Sequence, residues 1–223
     1  MEKNVKHSLI TNQRHYDYHY YSRSYDTKGR FCSYWHQIDE IASLMDGNIL
    51  YIGVGNGFVP KYLRDRLTEI LVLDNDENLK PDIVGSVVDI PFGDGTFSVV
   101  ACCEVLEHLP YEYFDRALSE IYRVTNGYAI ISLPDVTTVY RIDLELPRIK
   151  NRIQKLIEHP FHRPAINEYN GEHYWEIGKK FYPVEKIISA IKQTNFKLEK
   201  SYRVFEYYYH RFFILKHIGN NQK

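Results

Sequence analysis

Hydrophobic and polar positions along this chain change their period several times, and those changes divide it into elements. Over 33–45 the apolar residues Trp35, Ile38, Ile41, Ala42 and Met45 recur at the spacing of one helical face. Asp46-Gly47 supplies a helix stop. The run at 48–52 is short, apolar and closed by glycines, which predicts a buried strand. A helix is predicted over 59–67, with Pro60 tolerated in its first turn. Further strands are predicted over 69–73, ending at Asp74, and over 82–88, Phe97–Cys103 and 128–133, with an amphipathic helix over 111–124. Strands that are apolar throughout and alternate with helices indicate a parallel sheet covered on both faces.

Beyond Pro134 the rhythm breaks. The stretch 136–170 mixes polarity and is interrupted by Pro147, Pro160 and Pro164. It reads as a lid or insertion, reaching to about 182, with a helix near 146–157. A helix over 183–194 carries Ile187, Ile188 and Ile191 on one side. The runs 196–204 and 208–215 predict two strands in a tight antiparallel hairpin at the sheet edge. The length of 223 residues suits one α/β domain over 47–223, preceded by a helical or lid segment over 1–46.

The most informative stretch is Ile49-Leu50-Tyr51-Ile52-Gly53-Val54-Gly55-Asn56-Gly57. A strand runs directly into Gly-x-Gly-x-Gly and then into a helix. Glycines are needed where backbone turns sharply and must approach a ligand without a Cβ in the way. The helix N-terminus beyond offers unpaired N–H groups and partial positive charge, so the loop can cradle a carboxylate or a phosphate. Asp74, at the end of the next strand, can accept both hydroxyls of a ribose. Phe58 stands where a dinucleotide fingerprint has its third glycine, so the spacing favours an adenosyl ligand without a pyrophosphate.

At this point the residues resemble a known family. Gly53-Val54-Gly55-Asn56-Gly57, Asp74, Ile90-Pro91-Phe92, Phe97-Ser98-Val99-Val100, Glu104-Val105-Leu106-Glu107-His108-Leu109-Pro110 and Glu120-Ile121-Tyr122-Arg123-Val124 fall in the order seen in class I methyltransferases, most closely the type 11 group. The resemblance covers about residues 48 to 134. It implies a Rossmann-like, mostly parallel seven-stranded sheet with helices on both faces and a C-terminal antiparallel hairpin. It also implies S-adenosyl-L-methionine as cofactor. The roles it carries over are Gly53, Gly55 and Gly57 under the methionine part, Asp74 and the adjoining Asn75 at the ribose, Ser86 and Val87 at the adenine edge, and Cys103 and Glu104 on the acceptor side. The chain departs from the group at Tyr51, where an acid helps hold the methionine amino group, and at Ser86, where an Asp meets the adenine amine. Tyr51 still offers a phenol oxygen.

Methyl transfer is an in-line displacement at a sulfonium carbon, so the protein mainly positions the acceptor and excludes water. A hydroxyl or amine acceptor calls for a base near neutral pH. His108, following the fourth strand, and His173, in Gly171-Glu172-His173-Tyr174-Trp175-Glu176, are the candidates; for each, a hydrogen-bonded structural role is the alternative. His159 and His162 lack a cysteine or carboxylate that would complete a zinc pattern, so no metal site is expected.

Composition narrows the partners. A formal net charge of -1 gives no electrostatic case for nucleic acid or an anionic membrane. No stretch reaches the roughly 18 apolar residues of a spanning helix. Of Cys32, Cys102 and Cys103 two are adjacent, which suits a reduced, cytoplasmic chain rather than a disulfide framework. Tyr16, Tyr18, Tyr20, Tyr21 and Tyr25 could form a lid over cofactor and acceptor, or pack on the core or on a second subunit, leaving a homodimer open. The expected acceptor is a small molecule or a glycan-type hydroxyl. A cofactor-binding module with lost or weak turnover, and a nucleic-acid methyltransferase suggested by Arg14, Arg23 and Arg30 among those tyrosines, are the alternatives.

Overall fold

The strands Ile49–Ile52 (β1), Ile70–Asp74 (β2), Ile83–Val84 (β3), Phe97–Cys103 (β4), Thr125–Pro134 (β5), Phe196–Arg203 (β8) and His210–His217 (β9) form one sheet. Its order is β3-β2-β1-β4-β5-β9-β8. A computed structural model describes residues 25–44, 47–66, 69–145, 152–169 and 171–219. Strands β1 to β5 pair in parallel, and β9 runs antiparallel to both β5 and β8. The two inner strands are buried along their length, which is why β1 and β4 read as continuous apolar runs.

Helices cover both faces. Lys28–Leu44 (α1) and Phe58–Arg64 (α2) pack Ile41, Val59 and Leu63 on one face, against Ile49, Val72 and Val99. Phe114–Val124 (α3) and Val184–Gln193 (α4) pack Leu118, Ile121, Ile187 and Ile191 on the other, against Leu50, Val100 and Ile131. The two residue sets alternate along each strand, as period-two side-chain direction requires. Trp175 joins the second set and is fully buried, its Nε1–H donating to the Leu109 carbonyl at 3.0 Å.

Several boundaries differ from expectation. Helix α1 begins at Lys28, one and a half turns before 33. The three residues at 111–113 form a separate 3-10 turn before α3. Only Ile83–Val84 of the run 82–88 pairs with β2, because residues 86–89 close a turn through a Ser86–Asp89 bridge. The helix expected near 146–157 is corrected. Ile153–Glu158 (β7) pairs antiparallel with Val139–Leu144 (β6) as a separate two-stranded sheet. Leu144 lies opposite Ile153 and Tyr140 opposite Ile157, and such β-branched and aromatic cross-strand pairs outweigh local helix spacing. Residues 146–151 lie outside the described residues, as do Tyr16, Tyr18, Tyr20 and Tyr21 of the proposed aromatic lid. No helix among the described residues is long and apolar enough to cross a membrane.

Candidate active site

A cavity of about 330 Å³ opens along the carboxyl ends of β1, β2 and β4. This is where open parallel sheets bind ligands, and the volume suits a small molecule. Its floor is the glycine loop. Gly53 sits at φ +92° and Gly55 at φ +56°, and a Cβ on Gly53 would lie 2.6 Å from Val105 Cγ2. Side-chain-bearing residues rarely adopt φ +92°, and a Cβ does not fit the gap beside Val105. Gly57, at φ +74°, starts α2 and is not part of the cavity wall.

Asp74 is held in place by the loop it serves. Its Oδ2 accepts the Val54 N–H at 2.7 Å and its Oδ1 accepts the Asp76 N–H at 2.9 Å. Burial raises its carboxyl above the usual range, while those hydrogen bonds act in the opposite sense. A carboxylate offers about four acceptor sites, so room is left for a ligand hydroxyl. Asn75, Ser86 and Val87 line the same wall, so all four residues assigned to the nucleoside end come together. Tyr51 also lines the cavity, with its phenol donating to Gln37 Oε1 at 2.7 Å. A buried, hydrogen-bonded Tyr–Gln pair therefore stands at the position where the type 11 pattern has an acid. Helix α1 adds Tyr34 and Gln37 to the wall, which the sequence does not single out, and Arg30, which the sequence suggests only as a nucleic-acid contact.

Cys103 and Glu104 end β4 on the opposite side of the cavity. Glu104 is a non-glycine residue at φ +53°. Ser132 holds it there, accepting its N–H at 3.0 Å and donating from Oγ to Oε1 at 2.8 Å. A side chain kept in the left-handed region by its neighbours is a common mark of a functional site. Burial raises its carboxyl to about 7. The Cys103 thiol is pushed by burial to about 12, so it stays protonated.

His108 and His173, far apart in sequence, meet here with ring centroids 4.9 Å apart. His108 Nδ1 bonds the Glu172 carbonyl at 3.0 Å, and His173 Nδ1 bonds Glu176 Oε1 at 2.9 Å. Tyr209 donates to the same Glu176 oxygen. Burial, then the neighbouring His173, pushes His108 down to about 4, so its ring is neutral at neutral pH. Beside the Nε2 atoms of both rings lies Glu107, fully buried, with neither carboxylate oxygen hydrogen-bonded. Burial raises its carboxyl well above the usual range, and the nearby Glu104 raises it further. Glu107 stands inside the quoted Glu-Val-Leu-Glu-His segment; its place at the centre of the 3-10 turn Leu106–His108, which follows β4, turns it inward. Behind these groups His210 is buried, bonding Ser33 Oγ through Nδ1 at 2.7 Å. His159 and His162 lie apart from the cavity: His162 bonds the Gly178 carbonyl and His159 accepts the Phe161 N–H.

The fold and this cavity are similar to those of class I S-adenosylmethionine-dependent methyltransferases. Residues 50–131 match the type 11 family model, described as a methyltransferase domain. Among solved structures, the chain is similar to a 1,6-didemethyltoxoflavin-N1-methyltransferase of Burkholderia thailandensis that holds 1,6-didemethyltoxoflavin and S-adenosylhomocysteine. The TM-score is 0.60 at 10% identity, covering 97% of this chain and 88% of that one. An S-adenosylmethionine-dependent methyltransferase from Clostridium acetobutylicum aligns at TM-score 0.58 and 10% identity, covering 90% and 97%. The glycopeptide N-methyltransferase MtfA, complexed with S-adenosylhomocysteine, aligns at 0.57 and 10%, covering 84% and 89%. A search of curated proteins gives no match.

Proposed function

We propose that the chain transfers the methyl group of S-adenosyl-L-methionine to an oxygen of a small-molecule or glycan-type acceptor. One observation carries this reading. A single cavity runs from the glycine loop and Asp74 to a cluster of acid and imidazole groups at Glu104, Glu107, His108 and His173. The first end suits an adenosyl amino acid; the second suits an acceptor that must lose a proton. The acceptor oxygen attacks the methyl carbon, the carbon–sulfur bond breaks, and its electron pair returns to sulfur, giving S-adenosylhomocysteine. The acceptor proton passes to the Glu104 side of the cluster, and His108 and His173 orient the oxygen. Low-dielectric surroundings strengthen each of these contacts.

Arg30, Tyr51 and Gln37 line the same cavity as the glycine loop; the guanidinium suits the methionine carboxylate, and the Tyr51 and Gln37 oxygens suit the amine that the missing acid would hold. The segment 171–176 closes the acceptor side, pinned by the Tyr174 N–H on the Glu107 carbonyl at 2.9 Å and by Trp175. Together with β6 and β7 it forms the insertion over 136–182, for which we assign a lid role.

Isothermal titration with S-adenosylhomocysteine tests the cofactor half, and a methyl-transfer assay over hydroxyl-bearing acceptors tests the rest. Saturable binding with a methylated hydroxyl product is expected. Absence of binding at millimolar ligand overturns the reading; a product methylated on nitrogen alone overturns its choice of atom.

A further inference from the structure

We propose that Glu107, His108 and His173 hold a divalent transition-metal ion on the acceptor side of the cavity. The donor atoms of the three residues all lie within 4.8 Å of one another. His108 Nε2 is 3.9 Å and His173 Nε2 is 4.0 Å from the same oxygen, Glu107 Oε1. Ligands on one zinc ion, at bonds near 2.0–2.2 Å, lie about 3.3 Å apart, so a shift of well under 1 Å per side chain closes the shell.

The surroundings are those a metal-binding histidine requires. Each ring has its Nδ1 engaged, His108 on the Glu172 carbonyl and His173 on the Glu176 carboxylate. Such outer partners fix the tautomer so that Nε2 presents its lone pair to the ion. Here both Nε2 atoms face Glu107.

The independent observation is Glu107 itself. A carboxyl group fully withdrawn from water, with both oxygens lacking a hydrogen bond, is costly, and native proteins rarely leave one so. A cation held by Glu107 and the two Nε2 atoms supplies what that carboxylate lacks. Glu104 adds negative charge from the end of β4, opposed by the Arg30 guanidinium on α1.

Two imidazoles and one carboxylate suit Zn²⁺, Mn²⁺ or Co²⁺ better than Ca²⁺ or Mg²⁺, which take all-oxygen shells. Three protein ligands leave positions open toward the cavity, as in catalytic rather than structural sites. There an acceptor hydroxyl could bind and become easier to deprotonate. That last role rests on the methyl-transfer reading; the metal site does not.

The test titrates the chelator-stripped chain with ZnCl₂ and MnCl₂, and records the visible spectrum with CoCl₂. One ion per chain is expected, with a spectrum of nitrogen and oxygen ligation. His173→Ala should lower affinity at least tenfold while S-adenosylhomocysteine affinity stays within about threefold. If His173→Ala fails to fold, Glu176→Gln decides: it keeps both rings and should weaken the metal roughly tenfold or more through the lost orienting contact. The proposal is overturned if the native chain takes up no ion at millimolar concentration, or if the variants bind it equally well. Loss of S-adenosylhomocysteine binding with metal uptake intact would sink the methyl-transfer reading alone.

Discussion

Tyr51 and Gln37 are joined by a 2.7 Å hydrogen bond that ties the middle of β1 to helix α1 beneath the glycine loop. Both are buried, so the amide oxygen has no solvent to fall back on. Tyr51→Phe should therefore cost about 1–3 kcal/mol in stability, the penalty of stranding a buried acceptor. At this chain length that is a loss of roughly 2–10 °C in melting temperature. It should also weaken S-adenosylhomocysteine binding in isothermal titration. Unchanged stability and affinity would show that the pair does not stand in for the acid.

Asp74 offers the clearest cofactor test. Asp74→Asn keeps the shape and removes the charge. Hydrogen bonds to a charged acceptor contribute about 1.5–3 kcal/mol, so affinity for S-adenosylhomocysteine should fall roughly tenfold to a hundredfold. A melting curve separates this from damage to the loop, since Asp74 also accepts the Val54 N–H. Because burial sets its carboxyl above the usual aspartate value, binding should weaken on acidification before an ordinary aspartate would protonate. Affinity flat across that range would argue against a ribose contact.

Gly53→Ala should be more severe. The new methyl group meets Val105 Cγ2 at 2.6 Å, and the backbone stands at φ +92°. Strain of order 1–3 kcal/mol is expected, and the loop should shift away from its ligand. Loss of cofactor binding with a lowered melting temperature is the predicted result. Gly55→Ala, where nothing lies within 4 Å of the added carbon, shares the positive φ but not the clash, so it should be milder.

Legibility followed chemistry that is local in sequence. Gly53 and Asp74 could be found because a tight turn and a strand-end carboxylate announce themselves within a few residues, and both line the cavity. His108 and His173 could be named singly, but not as a pair, since 64 residues separate Glu172 from the ring it holds. Glu107 was visible as a letter in a motif; its burial depends on the turn after β4. Ile153, Leu156 and Ile157 stand at a spacing that also fits one helical face, and only the partner strand, with Tyr140 opposite Ile157, makes this stretch a strand. Gln37 and Arg30 reach the cavity because α1 packs across β4 and β5, which spacing along one helix does not reveal.

Glu120 and Arg123 should give stability a dependence on acid. Arg123 donates to both Glu120 oxygens at 2.8 Å and to the carbonyls of Ile90 and Phe92, fastening the loop before β4 to α3. The guanidinium holds the Glu120 carboxyl below its usual range. A depressed acid contributes stability above its unfolded value, and the contribution disappears as pH falls through the folded value. The pair is partly exposed, so the effect is modest and shrinks with salt. Glu120→Gln should lower the melting temperature at neutral pH and converge with the native chain below the carboxylate range. A gap that persists in acid would mean the residue acts through packing instead.

Strand β9 follows β8 in sequence but lies inside it in the sheet, between β8 and β5. It brings Phe212, Phe213 and Leu215, all fully buried, and places His210 3.3 Å from Glu104. During synthesis the sheet must therefore stand open along β5 until residues 210–217 have left the ribosome. Until then an aromatic seam is uncovered and one wall behind Glu104 is missing. A nascent chain released before that point would be sticky and without a finished cavity, whatever its earlier residues had already built.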